Sequence, residues 1–140
     1  MEMLIEHLTV LGWAEIAVKD WADWKFRCTY CDADMLECFD RYRLADADHI
    51  LPKSKYPQLA ASRLNLTLAC GVCNRIKGRW DPNTWESPKI YVPGSELTAE
   101  QREALIERAR RYVMERRGKG AAELDEMRRA VQEFRNRAIT

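Results

Sequence analysis

Apolar positions fall into three regimes along the chain. Residues 3–24 are dense in them, with Leu4, Leu8, Leu11, Trp13, Ile16, Val18, Trp21 and Trp24 interrupted by Gly12. This predicts an N-terminal helical segment over residues 1–24, at a period too broad to choose one face. Between residues 25 and 91 the pattern shortens. CTYC reads as a turn-like knuckle, RYRLADADHI as an extended segment ending near His49, and Pro52 with Pro57 marks a loop. NLTLAC reads as a second strand with Leu66 and Leu68 on one face, and GVCNRIKG starts a short helix. Trp80, Pro82, Trp85 and Pro88 predict irregular chain folded over this unit.

From residue 98 the period becomes helical. Thr98 is placed to cap a helix over 98–117, with Gln101 at the capping-box position, and Leu105, Ile106, Ala109, Tyr112 and Val113 recur on one face. Gly118 and Gly120 predict its end, and Leu124, Met127, Val131, Phe134 and Ala138 predict a second helix over about 121–138. Residues 98–138 are thus expected to form a helical hairpin or a dimerisation appendage, since two heptads suit intramolecular packing and a homodimer equally. The fold class is α+β: a small core over residues 25–91, flanked by an N-terminal helical segment and two C-terminal helices.

Composition narrows the function classes. The chain has 140 residues, 46% apolar and 32% charged, enough for one folded domain with an appendage. No apolar run approaches the roughly 18 residues of a membrane span, and Glu2 and Glu6 stand where a signal peptide is basic. A cytoplasmic address and no membrane partner are expected. The net charge of +1 conceals a gradient: residues 1–24 carry one lysine against five acidic groups, while residues 25–91 and 98–140 each carry 11 basic against 8 acidic groups. That excess suits an acidic polymer, although Arg108, Arg110, Arg111, Arg116 and Arg117 read first as a solvated helix face.

Cysteine spacing is the sharpest chemical signal. Cys28, Cys31, Cys70 and Cys73 form two CxxC pairs, the spacing of two knuckles that share one tetrahedral structural zinc. Two disulfides would need an oxidising compartment, and a thioredoxin-like CxxC needs no second pair. Cys38 lies outside both pairs and reads as a small buried residue; His7, in the apolar N-terminal stretch, reads as structural. Asp48 and His49 are adjacent, one a hard oxygen donor suited to Mg2+ or Mn2+, the other a base near neutral pH. On an ideal strand they face opposite sides, so serving one phosphate requires the strand to end or distort there. Asn74 directly follows Cys73, where zinc would pin its backbone and its amide oxygen would join Asp48 at a hard ion; Asn65 is placed to restrain the loop or orient the base.

CTYC, DHILP and NLTLACGVCNRIKG occur in this order over about residues 28–80, and together they resemble the HNH endonuclease family. The resemblance implies a zinc-supported ββα-metal core. It implies a catalytic divalent ion, Mg2+ or Mn2+, bound by Asp48 and Asn74, with His49 as general base supported by Asn65. Cys28, Cys31, Cys70 and Cys73 would hold structural Zn2+. Many members carry His where this chain has Asn74. The implied activity is metal-dependent hydrolysis of DNA phosphodiester bonds, and Lys77 is expected to contact a neighbouring phosphate, with Arg75, Arg79, Lys53 and Lys55 as weaker candidates. The alternative reading is a noncatalytic zinc-containing nucleic-acid-binding protein.

Overall fold

The computed structural model describes Glu6, residues 26–85 and residues 87–139. The expected helical segment over residues 1–24, with its tryptophans and His7, falls outside the described residues apart from Glu6. The described chain runs through helix α1 (Phe39–Leu44), strand β1 (Asp46–His49), 3-10 turns at Pro57–Leu59 and Arg63–Asn65, strand β2 (Leu66–Ala69), helix α2 (Gly71–Lys77) and helix α3 (Ala99–Ile139). The fold is α+β with a small ββα core.

β1 and β2 pair antiparallel, Asp46 opposite Ala69 and His49 opposite Leu66, and the bond from Ile50 N to Asn65 O (2.9 Å) extends the pairing beyond the strands. The extended segment is shorter than the sequence pattern suggests, because Phe39–Leu44 coils into α1. α1 ends against α2 at Gly71, where a Cβ would lie only 2.9 Å from Leu44 Cβ. Glycine permits that approach. α2 is closed by Gly78 at φ +49°.

α3 binds the unit together. Its Ala109 and Val113 pack with Cys28, Tyr30, Met35, Leu68, Ala69, Cys70 and Cys73 in one core. Leu105 and Ile106, one turn earlier, join Ile50, Leu51, Tyr56, Leu59, Tyr91 and Leu97 in a second. The expected cap is present: Gln101 N donates to Thr98 Oγ1 (3.1 Å), and Thr98 N donates to Gln101 Oε1 (3.0 Å). Trp80 stacks on Tyr112 with centroids 4.1 Å apart, and the Arg116 guanidinium lies 4.1 Å from the centroid of the same ring.

Three expectations change. The helices predicted over 98–117 and 121–138 are one continuous 41-residue helix, so no hairpin forms. Gly118 and Gly120 cost about 1 kcal/mol each relative to alanine, but stopping there would require a second helix to nucleate afresh. The Lys119–Glu115 ion pair (3.3 Å) also bridges this point. Arg108 is buried rather than solvated, donating to Pro82 O (3.2 Å) and Pro88 O (2.7 Å), which ties down the irregular chain after α2. Cys38, expected to be buried, is exposed at the start of α1. Among the described residues no helix is long and apolar enough to cross a membrane.

Candidate metal centre

The first CxxC forms a tight knuckle: Cys28 N donates to Ala33 O and Asp32 N to Cys28 O, both at 2.9 Å. Asp32 turns the chain at φ +62°, a conformation that aspartate tolerates better than most residues. The second CxxC is the start of α2, where Cys73 N donates to Cys70 Sγ at 3.3 Å. β2 delivers the second knuckle to the first, and Thr29 N donates to Leu68 O at 2.9 Å.

The four sulfurs of Cys28, Cys31, Cys70 and Cys73 lie within 4.8 Å of one another, with Cys31 Sγ 3.8 Å from Cys70 Sγ. Tetrahedral zinc with bonds of about 2.3 Å would space its sulfurs by about 3.8 Å, so the donor set and its spacing fit a structural zinc ion. Among the thiols, hydrogen bonding from Cys28 leads in lowering Cys31 to about 6 and in lowering Cys70, while Cys28 and Cys73 are raised.

β1 and α2 meet beside this cluster. Asp46 and Asp48, two residues apart, share one face of β1, and α2 answers them one turn apart with Asn74 and Lys77. Asn74 Nδ2 donates to Asp46 Oδ2 at 3.4 Å. Asp48 is buried; its Oδ2 accepts from Tyr30 Oη at 2.5 Å and lies 3.3 Å from Lys77 Nζ. The Lys77 ammonium also donates to His49 O at 2.7 Å. Burial raises the Asp48 carboxyl against the opposing pull of Lys77, and burial lowers Lys77 against the pull of Asp48.

This placement corrects one expectation. Lys77, expected at a phosphate, is only 1% exposed, with its charge committed to Asp48. A phosphate would have to displace that pairing. Arg75 and Arg79 remain exposed, as do Lys53 and Lys55, the latter 3.9 Å from buried Asp81.

His49 is half-buried and emerges from the other face of β1, at its last residue, where Nε2 meets Ala60 O at 2.8 Å. A carbonyl only accepts, so Nε2 carries the proton and Nδ1 is the basic nitrogen of the neutral ring. Asn65, fully buried, staples the loop after β1: Leu51 N donates to its Oδ1 (2.7 Å), while its Nδ2 donates to Leu51 O (2.9 Å) and Leu59 O (3.3 Å). It therefore holds the backbone two residues beyond His49, while the imidazole Nε2 meets Ala60 O. Asp48 and Asn74 each have another partner on the β1–α2 junction, and Asp48 and His49 reach different parts of the unit. Asp46 and Tyr30 are functional neighbours that sequence reasoning alone does not single out; Asp46 carries the signal of matching Asp48 two positions earlier, whereas Tyr30 inside CTYC carries none.

The carboxylates of Asp46 and Asp48 and the amide of Asn74 are hard donors of the type that Mg2+ or Mn2+ takes. Lys77 already supplies a positive charge to Asp48 there.

Comparison with protein families matches residues 28–79 to the model described as HNH endonuclease. No curated protein matches the chain. The matched segment contains both knuckles, β1, β2 and α2, and its four cysteines converge as described. This chain therefore carries an HNH endonuclease family fold over residues 28–79, in its four-cysteine, zinc-binding form.

Proposed function

We propose that the protein acts on DNA: its zinc-supported ββα unit binds the polymer, and it hydrolyses phosphodiester bonds when Mg2+ or Mn2+ enters the β1–α2 junction. The observation that carries the proposal is the meeting of β1 and α2, which collects Asp46, Asp48 and Asn74 beside the cysteine cluster with His49 at the strand end. DNA binding draws on the basic excess of residues 25–91 and on the exposed Lys53, Arg75 and Arg79.

For hydrolysis, Asp48 and Asn74 would hold the ion, which neutralises charge on phosphate oxygens when bound. Access to Asp48 requires Lys77 to give way. His49 would take a proton from water at Nδ1, with Nε2 anchored on Ala60 O. Asn65 is a positioning residue that keeps the loop after His49 in place.

A second reading, a noncatalytic zinc-containing nucleic-acid-binding protein, is favoured by a specific observation. Asp48 is already neutralised by Lys77 and bonded by Tyr30, and His49 lies on the other face of β1. The contacts as they stand suit this reading more closely than the hydrolytic one. A cleavage assay on supercoiled DNA, linear DNA and RNA, run with Mg2+, Mn2+, Co2+ and Ni2+ beside His49→Ala, separates them. Hydrolysis requires divalent-dependent cleavage of DNA that His49→Ala loses while retaining zinc. Salt-sensitive DNA binding without cleavage in any metal supports the second reading.

The proposed setting is the cytoplasm, where reduced thiols remain available to zinc. The distal half of α3 is proposed to pair with a second copy. Leu124, Met127, Val131 and Phe134 are exposed at heptad spacing, and in a parallel pair Glu123 of one helix would face Arg128 of the other.

A further inference from the structure

We infer that Arg117 is a positioning residue for the cysteine-held metal: it offsets the negative charge of the cluster and closes its solvent side. The inference rests on zinc occupancy of the four thiolates and is independent of any action on DNA. A zinc ion with four thiolates carries a net charge of −2, here set among residues of which Cys28, Cys70 and Cys73 are buried. Such a charge needs donors or cations at its sulfurs.

Donors reach the sulfurs from different elements. Cys73 N donates to Cys70 Sγ at 3.3 Å from within α2, and Arg117 Nη1 donates to Cys73 Sγ at 3.6 Å from α3. Arg117 is held in register by the helix that carries it. Arg110 donates from Nε (3.2 Å) and Nη2 (3.0 Å) to Thr29 O, inside the first knuckle. Val113, one turn on, is fully buried among the cysteines. Positions 110, 113 and 117 share one helical stripe, so clamping Arg110 and Val113 aims Arg117 at the second knuckle.

The approach also has a door. A cleft of about 210 Å3 opens beside Cys70, lined by Arg117 together with Asp40, Arg41 and Leu44 of α1. Arg117 is half-buried there, with one side toward the thiolates and the other toward the cleft. Removing its side chain would take a positive charge from the sulfurs and widen the route by which a chelator or proton reaches them.

The test uses the full zinc-loaded chain and follows zinc transfer to a chromophoric chelator at fixed pH and salt. Arg117→Ala should release zinc about tenfold faster, the lower end of the effect of losing an outer partner of a metal ligand. Arg117→Lys should fall between Arg117→Ala and the parent, since it keeps the charge without the planar fork. Arg129→Ala, farther along the same exposed helix, should match the parent. A second readout uses Co2+ in place of zinc: the sulfur-to-metal charge-transfer band should move to lower energy in Arg117→Ala, a change that loss of packing alone would not produce. Parental release with an unmoved cobalt band in Arg117→Ala would overturn the inference, as would Arg117→Lys behaving like Arg117→Ala in both readouts. Matched helicity of the variants by circular dichroism excludes unfolding as the cause.

Discussion

Replacing Lys77 with methionine should destabilise the protein far more than an ordinary lysine substitution. Lys77 and Asp48 face each other at 3.3 Å with side chains 0% and 4% exposed. At an effective dielectric near 20, charges at that distance attract by about 5 kcal/mol, most of which offsets the cost of taking both from water. Lys77→Met leaves the Asp48 carboxylate buried beside the Tyr30 hydroxyl without its neighbouring ammonium. Breaking one side of such a pair costs about 3–5 kcal/mol. Burial already raises Asp48, and loss of the lysine raises it further. A carboxyl raised in the folded state contributes stability below its unfolded value, and that contribution is lost as pH rises through the folded value. The deficit of Lys77→Met should therefore be larger at pH 8 than at pH 5. Asp48→Asn combined with Lys77→Met removes both charges and should recover most of the loss, giving a strongly non-additive cycle. Urea unfolding of zinc-saturated protein at the two pH values measures all of this. A loss under about 1 kcal/mol at pH 8, or additivity of the two substitutions, would refute the buried pair as the organising contact between β1 and α2.

Further outcomes follow from other contacts. Asn65→Ala strips partners from Leu51 N and Leu51 O in a buried loop and should cost about 2–4 kcal/mol in urea unfolding, with Asn65→Asp failing to rescue because it cannot donate to Leu51 O and Leu59 O. Zinc affinity, followed by competition with a chelator, should fall as pH drops through the neutral range, because Cys28 and Cys73 are raised and must release protons to bind, and should fall more steeply still where the lowered Cys31 also takes up its proton. Phe134→Asp should convert a concentration-dependent dimer to monomer in sedimentation equilibrium without altering zinc content, since Phe134 is 73% exposed and far along α3 from the cysteine core. A chain that is monomeric at all concentrations before substitution would remove the pairing of α3.

The sequence was most readable where a short span of chain fixes the geometry. CxxC spacing dictates a knuckle whatever surrounds it, and Thr98 with Gln101 forms a cap from four consecutive residues. The two strands and α2 were legible for the same reason. Burial of charge was not. Whether Lys77 of a seven-residue helix faces a phosphate or the core depends on how the second knuckle sets α2 against β1, which is a tertiary fact. Arg108 reads like its neighbours on α3 but finds the carbonyls of Pro82 and Pro88 beneath it. Gly118 and Gly120 carried a local stop signal that the continuous helix outweighed. The alternation of Asp48 and His49 was foreseeable from strand geometry, and the end of β1 at His49 does not cancel it.

All of these arrangements depend on the four cysteines closing around one metal ion. X-ray absorption at the zinc edge, on reduced protein prepared without chelators, tests that most directly. The expected result is one zinc per chain with four sulfur neighbours at about 2.3 Å. Substoichiometric zinc, or a first shell containing nitrogen or oxygen in place of sulfur, would contradict the account.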